Sequence, residues 1–135
     1  MITFFVAGRP VQQGSMRHVG RGRMIHSNHD GLMAWRALVA ESAVSACGDW
    51  FAVKGVPVEV VVDFYLPRGK SVRRLLPTTA PDADKLARAV NDALTGAVMD
   101  DDAQVVAMTV RKHYADDVDA VGARIAIRAV HEDAA

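Results

Sequence analysis

The stretch 81–106 constrains the fold and the chemistry of this chain more than any other, because it combines a helical spacing of apolar residues with a high density of aspartates. Leu86, Val90 and Leu94 recur at three- and four-residue steps, which predicts an amphipathic helix of about three to four turns. Asp82 stands where an N-cap is expected. A carboxylate at that position accepts backbone N–H bonds and meets the positive end of the helix dipole.

Aspartates are gathered at both ends of this predicted helix. Six of the sixteen acidic residues lie in the stretch, namely Asp82, Asp84, Asp92, Asp100, Asp101 and Asp102. Gly96 is the predicted helix stop, and the second cluster follows it in a loop that leads into the strand-like run 104–110. The two clusters meet only if this loop folds back along the helix, or if the next strand starts beside the helix N-terminus. The spacing permits this arrangement without requiring it.

Carboxylates that do converge need a counter-charge. Two of them about 4 Å apart repel by roughly 4 kcal/mol at an effective dielectric constant of about 20. A cluster of three therefore requires a proton, a cation or a basic neighbour. Mg²⁺ takes oxygen ligands and keeps several waters, which leaves positions for a phosphate oxygen and an attacking water. A shared divalent ion would equip the stretch for phosphodiester hydrolysis.

Each cluster also has a purely structural interpretation. An aspartate before a helix is commonly only a cap, and an aspartate-rich turn is commonly a solvated loop. Arg88 lies one turn after Asp84, and this spacing is also typical of an exposed ion pair. Such a pair stabilises a helix by about a few tenths of a kcal/mol. Asp92 fits the solvent face of the helix. The residues alone leave these alternatives open.

The same stretch resembles the signature of a known nuclease family. The matching residues are Pro81-Asp82-Ala83-Asp84, Leu86, Asp92-Ala93-Leu94, Gly96 and Asp101-Asp102-Ala103-Gln104-Val105. Nearer the start of the chain, the motifs Gly8-Arg9-Pro10, Gln13-Gly14-Ser15-Met16-Arg17 and Trp35-Arg36 are similar to that family as well. The family is that of the RusA Holliday-junction resolvases, which are common in phages and prophages.

The resemblance implies a homodimeric, Mg²⁺-dependent endodeoxyribonuclease, with Mn²⁺ as an alternative ion. Such an enzyme nicks two opposed strands of a four-way DNA junction in recombination and repair. The family's metal-binding aspartates fall on Asp82, Asp84 and Asp102. Arg88 stands where the family has a functionally important lysine, and Lys85 stands where its members often have asparagine. Arg88 is therefore the expected basic partner in catalysis, acting electrostatically because an arginine does not deprotonate.

The charge distribution is consistent with a DNA-binding protein, although the formal net charge is zero. Four arginines and no acid precede His29, and four further basic residues without acid lie in 68–74. Basic rims of this kind bind phosphates beside an acidic centre. The predicted DNA-contacting residues are Arg17, Arg21, Arg23, Arg68, Lys70, Arg73, Arg74 and Lys85. The alternative for both basic segments is a solvated loop.

The remaining patterns predict a single α+β domain over residues 1–135. Alternation predicts strands over 2–7, 58–66, 104–114 and 121–130, and helical spacing predicts a first helix over 30–47 with Trp35 in its buried face. Residues 11–28 lack periodicity and are predicted to form a long loop, and 115–120 to form a hairpin connection. The predicted order is strand, helix, strand, helix, strand, strand, with a mixed sheet packed against two helices.

Cys47 is the only cysteine, which excludes an intramolecular disulfide and predicts the cytoplasm of a bacterial or phage-infected cell. No apolar run has the length of a membrane span, and the start of the chain does not resemble a signal peptide. Two other functions remain open. One is a catalytically silent module that binds branched DNA, and the other is a generic metal-dependent nuclease acting on other branched substrates.

Overall fold

The computed structural model describes residues 1–14, 16–18, 24–26 and 28–131. Within these residues the chain forms six strands and two α-helices in the order β1 (Ile2–Ala7), β2 (Met16–His18), β3 (Met24–His26), α1 (His29–Cys47), β4 (Val58–Leu66), α2 (Ala83–Leu94), β5 (Val105–Tyr114) and β6 (Gly122–Ala129). Two short 3-10 helices lie at Asp102–Gln104 and Val118–Ala120. The predicted bounds of both α-helices and of the four longer strands are confirmed to within one or two residues.

The main sheet is mixed and has the strand order β1-β6-β4-β5. β4 is parallel to β5 and antiparallel to β6, and β1 pairs antiparallel with β6. β2 and β3 form a separate two-stranded antiparallel ladder. The chain is therefore an α+β protein with a mixed sheet and two helices, as the sequence predicts.

One face of the main sheet packs against both helices. The alternating residues Val58, Val60, Val62, Phe64 and Leu66 of β4 are all buried, while the intervening residues are partly exposed. α1 contacts α2 and β1, and α2 contacts β5, which places the two helices side by side over the same face. Trp35 is 2% exposed and lies in this core, as predicted. The result is a two-layer domain whose second sheet face, here called the outer face, carries no helix among the described residues.

Residues 11–28 do not form a single long loop, so that prediction was wrong. The strands β2 and β3 pair within this segment, with Met16 opposite His26 and His18 opposite Met24. Each strand has only three residues, and alternation over so short a run gives no usable period-two signal. The pairing of two such short strands depends on backbone hydrogen bonds, which the sequence pattern does not predict.

The predicted hairpin between the last two strands was also wrong. β6 pairs with β4 rather than with β5, so the connection after Tyr114 passes across the end of β4. A tight hairpin uses about two to five loop residues, whereas residues 115–121 separate β5 from β6 and contain the 3-10 helix Val118–Ala120. The strand pattern identified both strands but carried no information about which neighbour each would take.

None of the helices in the described part of the chain is long and apolar enough to cross a bilayer.

Candidate active site

The first pair of aspartates lies at the N-terminus of α2. Because β4 and β5 are parallel, α2 is the crossover between them and runs back along the sheet. Near the end of β5, the Lys112 ammonium donates hydrogen bonds to the carbonyl oxygens of Thr79 at 3.0 Å and Pro81 at 2.8 Å. These bonds fix the start of α2 beside the C-terminal ends of β4 and β5.

Asp82 occupies the N-cap position, but its carboxylate forms no capping hydrogen bond. The expectation that this side chain caps the helix was therefore wrong. Its own backbone N–H donates instead to Gln12 Oε1 at 2.7 Å, and its Oδ2 lies 3.3 Å from the Lys85 ammonium. The Asp82 side chain is half exposed, so its carboxylate is accessible to a ligand at this end of the helix.

Asp84 and Arg88 both lie exposed on α2. In the part of the chain that the structure describes, they form no ion pair with each other. The surface ion pair considered as the structural alternative is therefore not formed. Together, Asp82 and Asp84 place two accessible carboxylates, two residues apart in the sequence, at the N-terminal end of α2. Asp92, predicted on the solvent face, is partly buried.

The second acidic cluster consists of three exposed aspartates, and the carboxylates of two of them accept backbone N–H bonds. Asp100 Oδ2 accepts the backbone N–H of Lys54 at 2.6 Å. Asp101 caps the 3-10 helix by accepting the N–H of Ala103 at 3.0 Å. Asp102 is exposed and belongs to that 3-10 helix. Of the three carboxylates in this cluster, only that of Asp102 accepts no backbone bond within the described chain.

Gln104 supports the segment that carries Asp102, a role that the sequence analysis missed. Its side chain is buried, and Nε2 donates to the carbonyl oxygens of Ala52, Val53 and Val56 at 2.8–3.2 Å. Its Oε1 accepts the N–H of Asp101 at 2.8 Å and completes a capping box. The spacing Asp-x-x-Gln was the available signal.

The two accessible acidic groups lie at opposite ends of α2 within one chain. α2 has twelve residues, which corresponds to a length of about 18 Å. Along β5, Val105 beside the second cluster and Lys112 beside the first are seven residues apart, or about 23 Å. Among the described residues, no group of three His, Cys, Asp or Glu side chains is arranged to hold a metal ion.

The reason for this separation is topological. A strand parallel to β4 must begin at the end of the sheet where β4 begins, and α2 ends there rather than starts there. Neither condition for convergence within one chain is met. The assignment of Asp82, Asp84 and Asp102 as metal ligands consequently stays a prediction, because the described residues of one chain do not bring the three carboxylates together.

The basic segment 67–80 is held together by two of its own arginines. Arg68 donates to the carbonyl oxygens of Val72 and Arg74, and Arg74 donates to Thr79 Oγ1. Both guanidinium groups also lie within 6 Å of the Tyr114 ring centroid, at 5.3 and 5.9 Å. These contacts give Arg68 and Arg74 a structural role in addition to the predicted DNA contacts.

The structure describes the other predicted DNA-contacting residues to different extents. Lys70 and Arg73 are exposed in the same segment. Arg9, which the sequence analysis did not select, lines a cleft of about 170 Å³ beside Pro81. Arg21 and Arg23 lie outside the described residues, and only the backbone of Arg17 is described.

A separate charged cluster lies on the outer face of the sheet. Asp63 accepts two hydrogen bonds from the Arg111 guanidinium, at 2.6 and 2.9 Å, and lies 2.8 Å from His113 Nε2. The hydrogen bonds from Arg111 are the main reason that the pKa of Asp63 falls to about 2, with a smaller contribution from His113. This cluster is on the sheet face opposite α2.

The comparison with known proteins identifies first a class and then a family. Residues 7–128 match the family model described as Endodeoxyribonuclease RusA, which places the chain among the endodeoxyribonucleases. The match includes both acidic clusters, and the chain belongs to the RusA family. Nucleases of this family act on branched DNA and are generally dependent on a divalent metal ion.

A curated relative covers nearly the same region. The uncharacterised protein YqaN of Bacillus subtilis (strain 168) is 31% identical over 128 residues, which are 86% of this chain and 89% of YqaN.

Proposed function

We propose that the protein is a homodimeric, Mg²⁺-dependent Holliday-junction resolvase that introduces paired nicks into four-way DNA junctions in recombination and repair. One observation carries the proposal. Asp82, Asp84 and Asp102 are the positions expected to hold metal, and all three carboxylates are accessible and form no hydrogen bond with the backbone of the described residues. Their neighbours Asp100 and Asp101 are engaged by backbone N–H groups.

A dimer resolves the distance between the two acidic groups. In a two-fold arrangement with the α2 helices antiparallel across the axis, the N-terminal end of one α2 meets the C-terminal end of the other. Each metal site then takes Asp82 and Asp84 from one subunit and Asp102 of the partner subunit. Two such sites related by the same axis match the two-fold symmetry of paired nicks on opposed strands.

The chain's own groups have distinct roles in this proposal. The aspartates would hold Mg²⁺, which when bound would supply charge stabilisation and a more acidic water. The guanidinium of Arg88 stabilises negative charge at the phosphate. Lys85 neutralises part of the charge on Asp82 in the free protein, and phosphate is an alternative partner for its ammonium.

Cleavage assays test the proposal directly. The purified protein is incubated with a mobile four-way junction and with a linear duplex of the same sequence, with Mg²⁺ and with chelator. Paired, Mg²⁺-dependent nicks in the junction alone are expected. Equal rates on the two substrates would favour a generic nuclease. Tight junction binding without cutting at any metal concentration would favour the catalytically silent module.

A complementation experiment tests the shared site. Asp84→Asn and Asp102→Asn are each expected to be inactive alone, because each change disables both sites of a homodimer. In a mixed dimer, one site receives both substitutions and the other receives neither. Co-refolded mixtures should therefore regain nicking of one strand per junction.

The matched control pairs Asp82→Asn with Asp84→Asn. These changes affect the same half of the site, so every site in a mixed dimer remains incomplete and no activity should return. If the Asp84→Asn and Asp102→Asn mixture also stays inactive while the wild type cuts junctions, each site is built within a single chain, and the dimer arrangement is wrong.

A further inference from the structure

Two adjacent leucines project into solvent from the basic segment 67–80. Leu75 is 83% exposed and Leu76 is 60% exposed. Scattered single apolar residues on a surface are ordinary, but a neighbouring pair held outward on an ordered loop is not explained by the packing of this domain.

The backbone on both sides of the pair is fixed. On one side, the carbonyl oxygen of Arg74 accepts a hydrogen bond from Arg68 Nη2 at 2.7 Å. The Arg74 guanidinium in turn donates to Thr79 Oγ1 at 3.2 Å and lies over the Tyr114 ring. On the other side, Pro77 is buried. The leucines are therefore presented outward by the loop rather than left exposed by a lack of structure.

The segment is also connected to the proposed site. Lys112 holds the carbonyl oxygens of Thr79 and Pro81, so the loop ends in a fixed position one residue before Asp82. Lys70 and Arg73 are exposed on the same loop, and no acidic residue lies between Asp63 and Asp82. An apolar projection with basic residues beside it is complementary to a polyanion that offers an apolar surface.

We propose that Leu75 and Leu76 form a wedge that packs against unstacked base pairs at the branch point of DNA. Phosphate contacts by Lys70 and Arg73 would position the loop. Apolar side chains of this kind insert at base steps and partially unstack them. Insertion into a continuous duplex costs the full stacking of a paired base step, whereas stacking at a branch point is already weakened. The inference rests on the proposed function and assigns part of its selectivity for branched DNA to this pair.

The test uses full-length protein and a four-way junction with 2-aminopurine next to the branch point, in chelator so that nothing is cut. Wild-type protein should increase the fluorescence of the probe, because the base becomes unstacked. Leu75→Ala/Leu76→Ala should remove most of this increase and reduce the preference for junction over duplex by about tenfold. Its affinity for linear duplex should be unchanged, since the basic residues remain.

The control is Leu38→Ala/Val44→Ala, which truncates two partly exposed apolar residues of α1, 42% and 50% exposed. This variant should behave as the wild type. The wedge is overturned if the Leu75 and Leu76 variant unstacks the probe normally. It is also overturned if that variant becomes monomeric in sedimentation, because the leucines would then be dimer contacts.

These outcomes are separable from those of the proposed function. A wild-type protein that binds and unstacks the branch point but does not cut with Mg²⁺ would refute the resolvase activity and leave the wedge intact. A wild-type protein that cuts junctions without changing the fluorescence of the probe would refute the wedge and support the resolvase activity.

Discussion

A carboxylate that already accepts backbone N–H bonds has a structural partner, and this distinction separates the aspartates of the site at the level of single residues. Asp100 and Asp101 each accept such a bond, whereas Asp82 and Asp102 accept none from the part of the chain that the structure describes. The sequence could not distinguish the two pairs, because all four residues are aspartates that lie in the same stretch. It depends on where Lys54 and Ala103 place their N–H groups.

Arg88 tests what a permanently charged residue contributes at the N-terminal end of α2. We expect Arg88→Lys to keep substantial activity and Arg88→Ala to lose activity on the order of 100-fold, as for loss of one group that stabilises transition-state charge. The measurement is the single-turnover cutting rate of a four-way junction. Arg124→Ala, an exposed arginine on the outer face, is the control. A near wild-type rate for Arg88→Ala would remove residue 88 from the site.

Asp63 gives a prediction about pH. Its pKa is lowered to about 2, chiefly by hydrogen bonds from Arg111. A lowered folded-state pKa means that the ionised form stabilises the fold above about pH 4, and that this stabilisation is lost as pH falls towards 2. Asp63→Asn should therefore reduce the free energy of unfolding at pH 7 by on the order of 1 kcal/mol, a value kept small because Arg111 is exposed.

The difference between Asp63→Asn and the wild type should shrink between pH 4 and pH 2.5 in urea unfolding. Asp116→Asn, an exposed aspartate, serves as the control and should show no comparable trend. A difference that is constant over this range would mean that the Arg111 bonds do not depend on the ionisation of Asp63.

At the scale of elements, the most predictable parts were those with strong periodicity. α2 and β4 each have a complete buried face, so their patterns were clear in the sequence. β2 and β3 were missed because three-residue strands carry no period. The neighbour of β6 was missed because alternation specifies which face is buried but not which strand lies alongside.

Gln104 is the side chain on which the turn before β5 depends. Gln104→Ala would leave three backbone carbonyls without their side-chain donor and the N–H of Asp101 without its acceptor. We expect the free energy of unfolding to fall by about 2–3 kcal/mol. Cutting at a temperature where the variant is folded should also decrease, since the turn positions Asp102. Val106→Ala, at an exposed neighbouring position, should change stability by less than about 0.5 kcal/mol.

At the scale of the whole molecule, the sequence located the acidic groups but not their relation in space. The helix between them was correctly predicted, and the direction of β5 then decided that Asp82 and Asp102 lie at opposite ends of it. That direction follows from the parallel pairing of β4 and β5, a long-range property with no local signal. A site that needs both groups must therefore be considered for the assembly rather than for the single chain.

If the site is shared between subunits, binding of Mg²⁺ and formation of the dimer are thermodynamically linked, and this linkage can be measured. If Mg²⁺ is held by carboxylates from two subunits, it binds the dimer more tightly than the monomer, and mass action shifts the equilibrium towards the dimer. Sedimentation velocity at protein concentrations near the dissociation midpoint should show more dimer with Mg²⁺ than with chelator. Asp84→Asn and Asp102→Asn should each remove this shift, although the two residues lie about 20 Å apart in one chain.

Asp100→Asn is the matched control, because its carboxylate accepts a backbone N–H and is not a ligand in the proposed two-subunit site. It should retain the Mg²⁺-dependent shift. Since lowering negative charge also weakens repulsion between subunits, the relevant quantity is the difference between Mg²⁺ and chelator for each variant, not the dimer fraction itself. A shift that survives in Asp102→Asn but disappears in Asp84→Asn would mean that the ion is held at the N-terminal end of α2 without Asp102 of the partner subunit.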